Sequence, residues 1–185
     1  ADVAATGVGK RYLIQHSAGS GKSNSIAWLA HQLIAQEKDG KPIFDSVVVI
    51  TDRRILDEQI RETIRKFSQV SAMIGAVGGA GGGGDSKTKQ LTKFLADGKK
   101  IIISTVQTFP FLLDEIGSDH RSRSFAIIID EAHSSQGSRT SAKLNMALSS
   151  EDEADEEESV EDKINAIIEQ KKMLKNASYF AFTAT

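Results

Sequence analysis

The sequence contains no cysteine, and it has only two prolines and one tryptophan. The absence of cysteine excludes disulfide scaffolds, thiolate zinc sites and cysteine nucleophiles, and it permits a reducing compartment. Also missing is any uninterrupted apolar run of the roughly 20 residues that a membrane-spanning helix needs. Residues 1–10 lack the charged-then-apolar pattern of a signal peptide. We therefore expect neither a membrane protein nor a secreted one.

What is present is the composition of one folded domain. The chain has 185 residues, of which 39% are hydrophobic and 26% are charged. This is enough to bury a substantial core, and it excludes a disordered chain. There is no initiator methionine, and the sequence stops at Thr185 just as an apolar run ends. We expect a fragment of a longer chain.

The net charge of −2 conceals an asymmetry along the sequence. Residues 151–162 contain nine acidic side chains and no basic one, so the remainder has 23 basic and 16 acidic residues, a net charge of +7. A basic body is compatible with a polyanionic partner. We expect residues 151–159 to form a solvated acidic insert, with metal binding or mimicry of a DNA backbone as the alternatives.

Five short apolar runs predict buried strands. They are Tyr12–Gln15, Val47–Ile50, Ile101–Ser104, Phe125–Ile129 and Tyr179–Phe182. Continuous runs of this length are typical of strands that are covered on both faces. Amphipathic helical patterns separate them, after Gly21 and over residues 56–67, 87–96, 141–148 and 160–174. This alternation predicts an α/β fold with a doubly wound parallel sheet.

Three local features complete the outline. The glycine-rich segment 75–86 predicts a flexible loop that forms neither strand nor stable helix, with a phosphate cradle as the alternative. Residues 1–10 are expected to be a leading linker, which leaves residues 11–185 as the domain. Trp28 flanks the apolar stripe of the first amphipathic helix, and we expect it to pack there rather than stack on bases.

The strongest local motif is a phosphate-binding pattern, formed by Gly19, Ser20, Gly21, Lys22 and Ser23. It follows a predicted strand and opens a predicted helix, which is the context that a phosphate loop requires. Backbone N–H groups of the loop can converge on a phosphate, Lys22 can reach the β- and γ-phosphates, and Ser23 can hold Mg²⁺. His16 stands where the usual pattern has its first glycine. A simple helix cap is therefore the alternative.

A second motif, Asp130-Glu131-Ala132-His133, directly follows the apolar run that ends at Ile129. Parallel sheets bind their ligands at the carboxyl ends of the strands. Beside a phosphate loop, Asp130 would hold Mg²⁺ through water, and Glu131 would orient or deprotonate the water that attacks the γ-phosphorus. The two motifs together predict hydrolysis of ATP with Mg²⁺, whereas an Asp-Glu pair alone is usually an ordinary turn.

Taken in order, these motifs resemble those of superfamily-two helicases and translocases. Motif I of that superfamily is resembled by Gly19–Ser23, motif II by Asp130–His133 and motif III by Thr183–Thr185. A closer resemblance, to the motor (R) subunit of type I restriction-modification enzymes, is carried by Gln15–Ser23, Thr51–Arg54, Ser104–Thr108 and Asp130–Gln136. The resemblance spans residues 12–185, and it implies the first of two RecA-like P-loop NTPase domains, with a DEAH-type motif II.

This resemblance implies DNA contacts at two further segments. The side chains involved would be Arg53, Arg54, Ser104, Thr105 and Gln107. They would bind the phosphate backbone and position DNA without reading its sequence. Without the resemblance, the two arginines are as easily read as exposed residues at the start of a helix.

The resemblance also assigns residues to ATP hydrolysis and to its coupling with movement. His133 and Gln136 would assist Lys22, Asp130 and Glu131 in hydrolysis. In addition, His133 and Gln136, like the hydroxyl residues Thr183 and Thr185, would couple the state of the γ-phosphate to the rest of the motor.

The function implied by the resemblance is ATP-dependent movement of double-stranded DNA before cleavage, in a cytoplasmic restriction enzyme. The implied partners are a second RecA-like domain and a nuclease domain of the same chain, and separate methylation and specificity subunits. The fragment alone would hydrolyse ATP weakly, because the second motor domain supplies an arginine to the γ-phosphate. The alternatives are another superfamily-two ATPase, such as a type III restriction subunit or a DNA or RNA helicase, and a nucleotide-binding P-loop module without motor activity.

Overall fold

The computed structural model describes residues 2–17, 21–51, 60, 62–64, 73–78, 86–130 and 174–184. In chain order the strands are β1 (Arg11–His16), β2 (Glu37–Lys38), β3 (Lys41–Pro42), β4 (Ser46–Thr51), β5 (Ile74–Ala76), β6 (Ile101–Thr105), β7 (Phe125–Asp130) and β8 (Ala177–Ala184). The helices are α1 (Asp2–Thr6), α2 (Lys22–Ile34), α3 (Lys87–Ala96) and α4 (Phe109–Gly117), the last preceded by a 3₁₀ turn at Val106–Thr108. No helix in these ranges is long and apolar enough to cross a membrane.

Six of the strands form one sheet in the order β1-β8-β7-β4-β6-β5, and every neighbouring pair is parallel. Its central strands are almost entirely buried and rich in valine and isoleucine, because residues covered on both faces favour β-branched side chains. The remaining two strands, β2 and β3, form a separate antiparallel hairpin. All five predicted strands are confirmed, as β1, β4, β6, β7 and β8.

Alternate residues along each strand point to opposite faces of the sheet, and each face has its own hydrophobic core. One core joins Val48 of β4 to Leu91 of α3 and to the apolar side of α4. The other joins Val49 of β4 to Ile26 and its neighbours in α2. Helices therefore cover both faces, which confirms the predicted doubly wound α/β class.

The predicted helices after Gly21 and over residues 87–96 are confirmed as α2 and α3. Of the helix predicted over residues 56–67, the structure describes residues 60 and 62–64, which are helical, with Ile60 and Ile64 fully buried. Residues 131–173, with the two helices and the acidic insert predicted there, lie outside the described residues. Helix α4, with Pro110 in its first turn, was not predicted.

The expectation of a loop over residues 75–86 is wrong at its beginning. Gly75 is a buried residue inside β5. A Cβ atom at this position would lie 2.7 Å from Cγ of Phe94. Glycine is required here because the ring of Phe94, which belongs to α3, packs directly on the strand. At the other end, Ser86 accepts a hydrogen bond from the N–H of Lys89 and caps α3. Residues 79–85 lie outside the described residues.

Two further expectations need correction. The leading linker predicted over residues 1–10 includes helix α1, and Val3 packs against the core on the α2 face. Trp28 does not pack in a core, since it is 59% exposed. It lies two positions from both Ile26 and Ala30, which places it about 200° around the helix from these buried residues.

Asn176 ties the amino-terminal end of β8 to the elements beside it. Its side-chain nitrogen lies 3.3 Å from the carbonyl oxygen of Ile116, 3.2 Å from that of His120 and 3.0 Å from that of Arg123. The carbonyl of Asn176 in turn accepts the N–H of Phe125, the first residue of β7, at 2.8 Å. One residue therefore connects α4, the turn after it and two strands.

We expect Asn176→Ala to lower the free energy of unfolding by about 1–3 kcal/mol, because three backbone carbonyls lose their shared donor. Urea unfolding followed by circular dichroism measures this difference. The control Gln32→Ala, at an exposed position of α2, should change stability by no more than about 0.5 kcal/mol. Equal stability of the two variants would contradict the role given to Asn176.

Candidate functional site

The carboxyl ends of five neighbouring strands meet at one edge of the sheet. In this register His16 lies beside Ala184, Asp130 lies between Phe182 and Thr51, and Thr51 lies beside Thr105. The sequence motifs therefore follow strands that end side by side. This is the edge at which open parallel sheets bind ligands.

Helix α2 begins at this edge of the sheet. Gly21 is its first flanking residue and adopts the left-handed conformation, with φ of 85° and ψ of 34°, which favours glycine. Among the described residues no side chain caps the helix by a hydrogen bond, and its first turn contains no acidic residue. The partial positive charge of such a helix terminus favours an anion beside it.

Lys22, the first residue of α2, forms an ion pair with Asp130, the last residue of β7. Lys22 Nζ lies 2.8 Å from Asp130 Oδ1, and the side chain of Asp130 is only 1% exposed, against 20% for Lys22. Beyond this ion pair, neither carboxylate oxygen of Asp130 has a hydrogen-bond partner among the described residues. A buried carboxylate normally accepts several hydrogen bonds. Asp130 therefore keeps acceptor capacity that a metal, a water or a ligand can use.

The oxygen ligands available at the end of β7 and the start of α2 fit Mg²⁺ rather than a metal that is coordinated by protein side chains alone. Asp130 offers carboxylate oxygens, and Ser23 offers a hydroxyl in the first turn of α2. Within the described ranges, no group of three or more histidine, cysteine or acidic side chains could hold a metal ion. Mg²⁺ suits such a sparse set, because it keeps several waters and takes further oxygens from a bound phosphate.

Hydroxyl groups at the end of β6 and in the turn after it form hydrogen bonds within this segment. Ser104 is fully buried, and its Oγ lies 2.5 Å from Oγ1 of Thr108. The hydroxyl of Thr108 also lies 2.7 Å from the carbonyl of Thr105, while the hydroxyl of Thr105 donates to Gln107 Oε1 at 2.9 Å. Of these predicted DNA-contact residues, only Gln107 is exposed. Thr108, the last residue of the segment Ser104–Thr108, was given no role from the sequence, and its hydrogen bonds appear only in the structure.

The structure brings together Lys22 and Asp130, with Gly21 and Ser23 beside Lys22. Eight other predicted site residues lie outside the described residues, namely Gly19, Ser20, Arg53, Arg54, Glu131, His133, Gln136 and Thr185. Thr183 is placed in β8 opposite Gln15. The roles given to these residues stay predictions.

Comparison with known proteins agrees with this architecture. Residues 3–185 match the SWI2/SNF2 ATPase family. A crystal structure of T4 UvsW superposes with a TM-score of 0.50 and 16% sequence identity, covering 94% of this chain and 26% of that protein. At this identity the likeness shows the fold alone, and it confirms the predicted RecA-like fold.

Curated relatives include endonuclease subunits of type I restriction enzymes. The SauMSSORF170P subunit of Staphylococcus aureus (strain MSSA476) is 29% identical over 136 residues, which is 71% of this chain and 13% of the relative. The SsaAORF53P subunit of Staphylococcus saprophyticus is 30% identical over 127 residues, 66% of this chain and 12% of the relative. The chain thus spans about an eighth of the length of these relatives.

The resemblance on which the sequence analysis relied is therefore confirmed at the level of family and fold. By its match over residues 3–185, the chain belongs to the SWI2/SNF2 ATPase family.

Proposed function

We propose that this chain is the first motor domain of a cytoplasmic type I restriction enzyme, and that it hydrolyses Mg²⁺-ATP to move double-stranded DNA before cleavage. The observation that carries the proposal is the ion pair between Lys22 of the phosphate-loop helix and the buried Asp130. The similarity to endonuclease subunits of type I restriction enzymes supports the choice of this system.

In this proposal Lys22 exchanges partners when the nucleotide binds. Its ammonium group moves from Asp130 to the β- and γ-phosphate oxygens. Ser23 and, through water, Asp130 would hold Mg²⁺. Bound Mg²⁺ would neutralise charge on the phosphates. Gly19, Ser20 and Gly21 would supply backbone N–H groups to the β-phosphate. The exchange keeps the buried carboxylate of Asp130 paired with a cation before and after binding.

Hydrolysis in this scheme is an in-line attack of water on the γ-phosphorus. Glu131 accepts the proton of the water as the new P–O bond forms and the bond to the β–γ bridging oxygen breaks, which releases ADP and phosphate. His133 and Gln136 would assist at the γ-phosphate, and Thr183 and Thr185 would transmit its state.

DNA would lie along the same edge, beyond the nucleotide. Arg53 and Arg54, which follow β4, and the exposed Gln107, which follows β6, would contact its phosphates. The internal hydrogen bonds of Ser104 and Thr105 suit these residues to shaping the turn, with Gln107 as its outward-facing group. The proposed partners are a second RecA-like domain, a nuclease domain, and methylation and specificity subunits.

Two other functions are compatible with the same nucleotide site. One is a different helicase-like motor, such as a type III restriction subunit or a DNA or RNA helicase. The other is a nucleotide-binding module that never moves DNA. ATP turnover that DNA does not stimulate would favour the nucleotide-binding module. ATP turnover that is stimulated by RNA but not by double-stranded DNA would favour an RNA helicase.

We expect Lys22→Ala in the intact protein to lower DNA-stimulated ATP turnover by at least about 100-fold, because a charge that stabilises the transition state is removed. The single substitution also leaves Asp130 buried without its cation, which destabilises the fold. The double variant Lys22→Ala/Asp130→Asn separates the two effects, since it removes both charges. It should recover stability and stay inactive. Wild-type turnover in this folded double variant would overturn the phosphate-loop assignment.

Replacement of Arg53 and Arg54 together by alanine should weaken DNA binding to a similar extent on all sequences and flatten its salt dependence. Phosphate contacts release counterions irrespective of the base, so two lost contacts change the slope of log K against log salt by about 2. Fluorescence anisotropy with labelled duplexes at several salt concentrations measures this slope. Lys38→Ala/Lys41→Ala, in the exposed β2–β3 hairpin, is the matched control. An unchanged slope in the arginine variant would remove both residues from the DNA path.

A further inference from the structure

His16 occupies the point at which the chain leaves the sheet and enters the phosphate loop. It is the last residue of β1, and its Nε2 lies 2.9 Å from Oγ of Ser25 in α2. Its Nδ1 lies 3.4 Å from the carbonyl oxygen of Ser17, a long hydrogen bond. Because a carbonyl only accepts, Nδ1 carries the proton, and in a neutral imidazole Nε2 then accepts the hydroxyl proton of Ser25.

The contact with Ser25 joins the two elements that flank the phosphate-binding motif, β1 and α2. The N–H of Ser25 donates to the carbonyl of Gly21 at 3.1 Å, so Ser25 belongs to the first turn of α2. His16 is anchored in the sheet by its pairing with Ala184 of β8. The hydrogen bond between their side chains thus joins the strand before the loop to the helix after it. A loop built from glycine and serine has few side chains of its own to fix the distance between its ends.

The same imidazole also contacts the strand beside β1. The rings of His16 and Phe182 have their centroids 6.4 Å apart and are tilted by 47°. Phe182 is buried in β8, where it lies in register with Asp130 of β7 and directly precedes Thr183. His16 therefore contacts both the helix that carries Lys22 and the strand between β1 and the buried acid.

We propose that His16 is a positioning residue for nucleotide binding: through Ser25 it fixes the distance between β1 and α2, and through Phe182 it fixes the end of β1 against the strand next to Asp130. The inference rests on the proposed ATPase function and adds to it a residue outside the phosphate-loop pattern. It gives a physical role to the residue that stands where a first glycine is usual. A glycine there could make neither contact.

The test uses nucleotide affinity of the intact protein, measured with a fluorescent ATP analogue. His16→Phe keeps a ring beside Phe182 but removes the hydrogen bond, and Ser25→Ala removes the same hydrogen bond from the other side. Each should raise Kd by about 2- to 10-fold, the range of one net hydrogen bond. The double variant should be no weaker than either single variant, because both remove one interaction.

Rescue by a conservative variant distinguishes positioning from general destabilisation. His16→Gln should bind nucleotide more tightly than His16→Phe, because its amide reaches the same point as Nε2, but less tightly than the wild type, because it lacks the ring beside Phe182. His31→Phe is the matched control. Like His16, His31 is a partly buried histidine, but it lies within α2, and its Nε2 is 3.1 Å from the carbonyl oxygen of Ile64. It should lower thermal stability and leave Kd unchanged.

Wild-type affinity in His16→Phe, additive effects of His16→Phe and Ser25→Ala, or an equal loss of affinity in His31→Phe would each overturn the inference. The double variant Lys22→Ala/Asp130→Asn separates this failure from failure of the proposed function. If that variant loses the nucleotide while His16→Phe binds normally, only the role of His16 is wrong. If that variant also binds normally, the nucleotide site itself is wrong.

Discussion

A carboxylate buried at the end of a central strand is the constraint around which this domain is organised. Asp130 is 1% exposed, and its one ionic partner among the described residues is Lys22. An unpaired charge at such a position costs several kcal/mol, whereas a well-packed apolar pair would be at least as stable as the ion pair. Stability alone therefore does not explain the pair. Its position at the carboxyl edge of the sheet, at the start of α2, is what the proposed exchange of partners requires.

The rest of the fold keeps this pair in place. Buried valine and isoleucine fill β4, β6 and β7 on both faces, so the register of Asp130 against Thr51 and Phe182 is fixed by packing. Asn176 fixes the opposite end of β8. The polar groups near the site, by contrast, lie at strand ends and in helix first turns, where a change of partner does not disturb the core.

The sequence predicted what depends on local patterns. Continuous apolar runs located five of the six sheet strands. The phosphate-binding pattern and the acidic motif were both expected at the carboxyl ends of strands, which is where Lys22 and Asp130 meet. Packing between elements far apart in the chain was not predictable. Gly75 reads as a loop residue, yet it is in a strand because Phe94 covers it. Trp28 reads as an apolar residue of an amphipathic helix, yet it is on the outer face. His16 reads as a departure from a motif, and its contacts with Ser25 and Phe182 appear only in three dimensions.

The proposed nucleotide site depends on one exchange, in which Asp130 releases Lys22 to the phosphates and would take up Mg²⁺ in its place. This exchange is tested by the nucleotide affinity of the intact protein with and without Mg²⁺, compared between the wild type and Asp130→Asn. We expect Mg²⁺ to strengthen ATP binding to the wild type by about 10- to 100-fold and to have little effect on Asp130→Asn, which keeps the shape of the side chain without its charge. An equal gain from Mg²⁺ in both proteins would show that Asp130 takes no part in binding Mg²⁺.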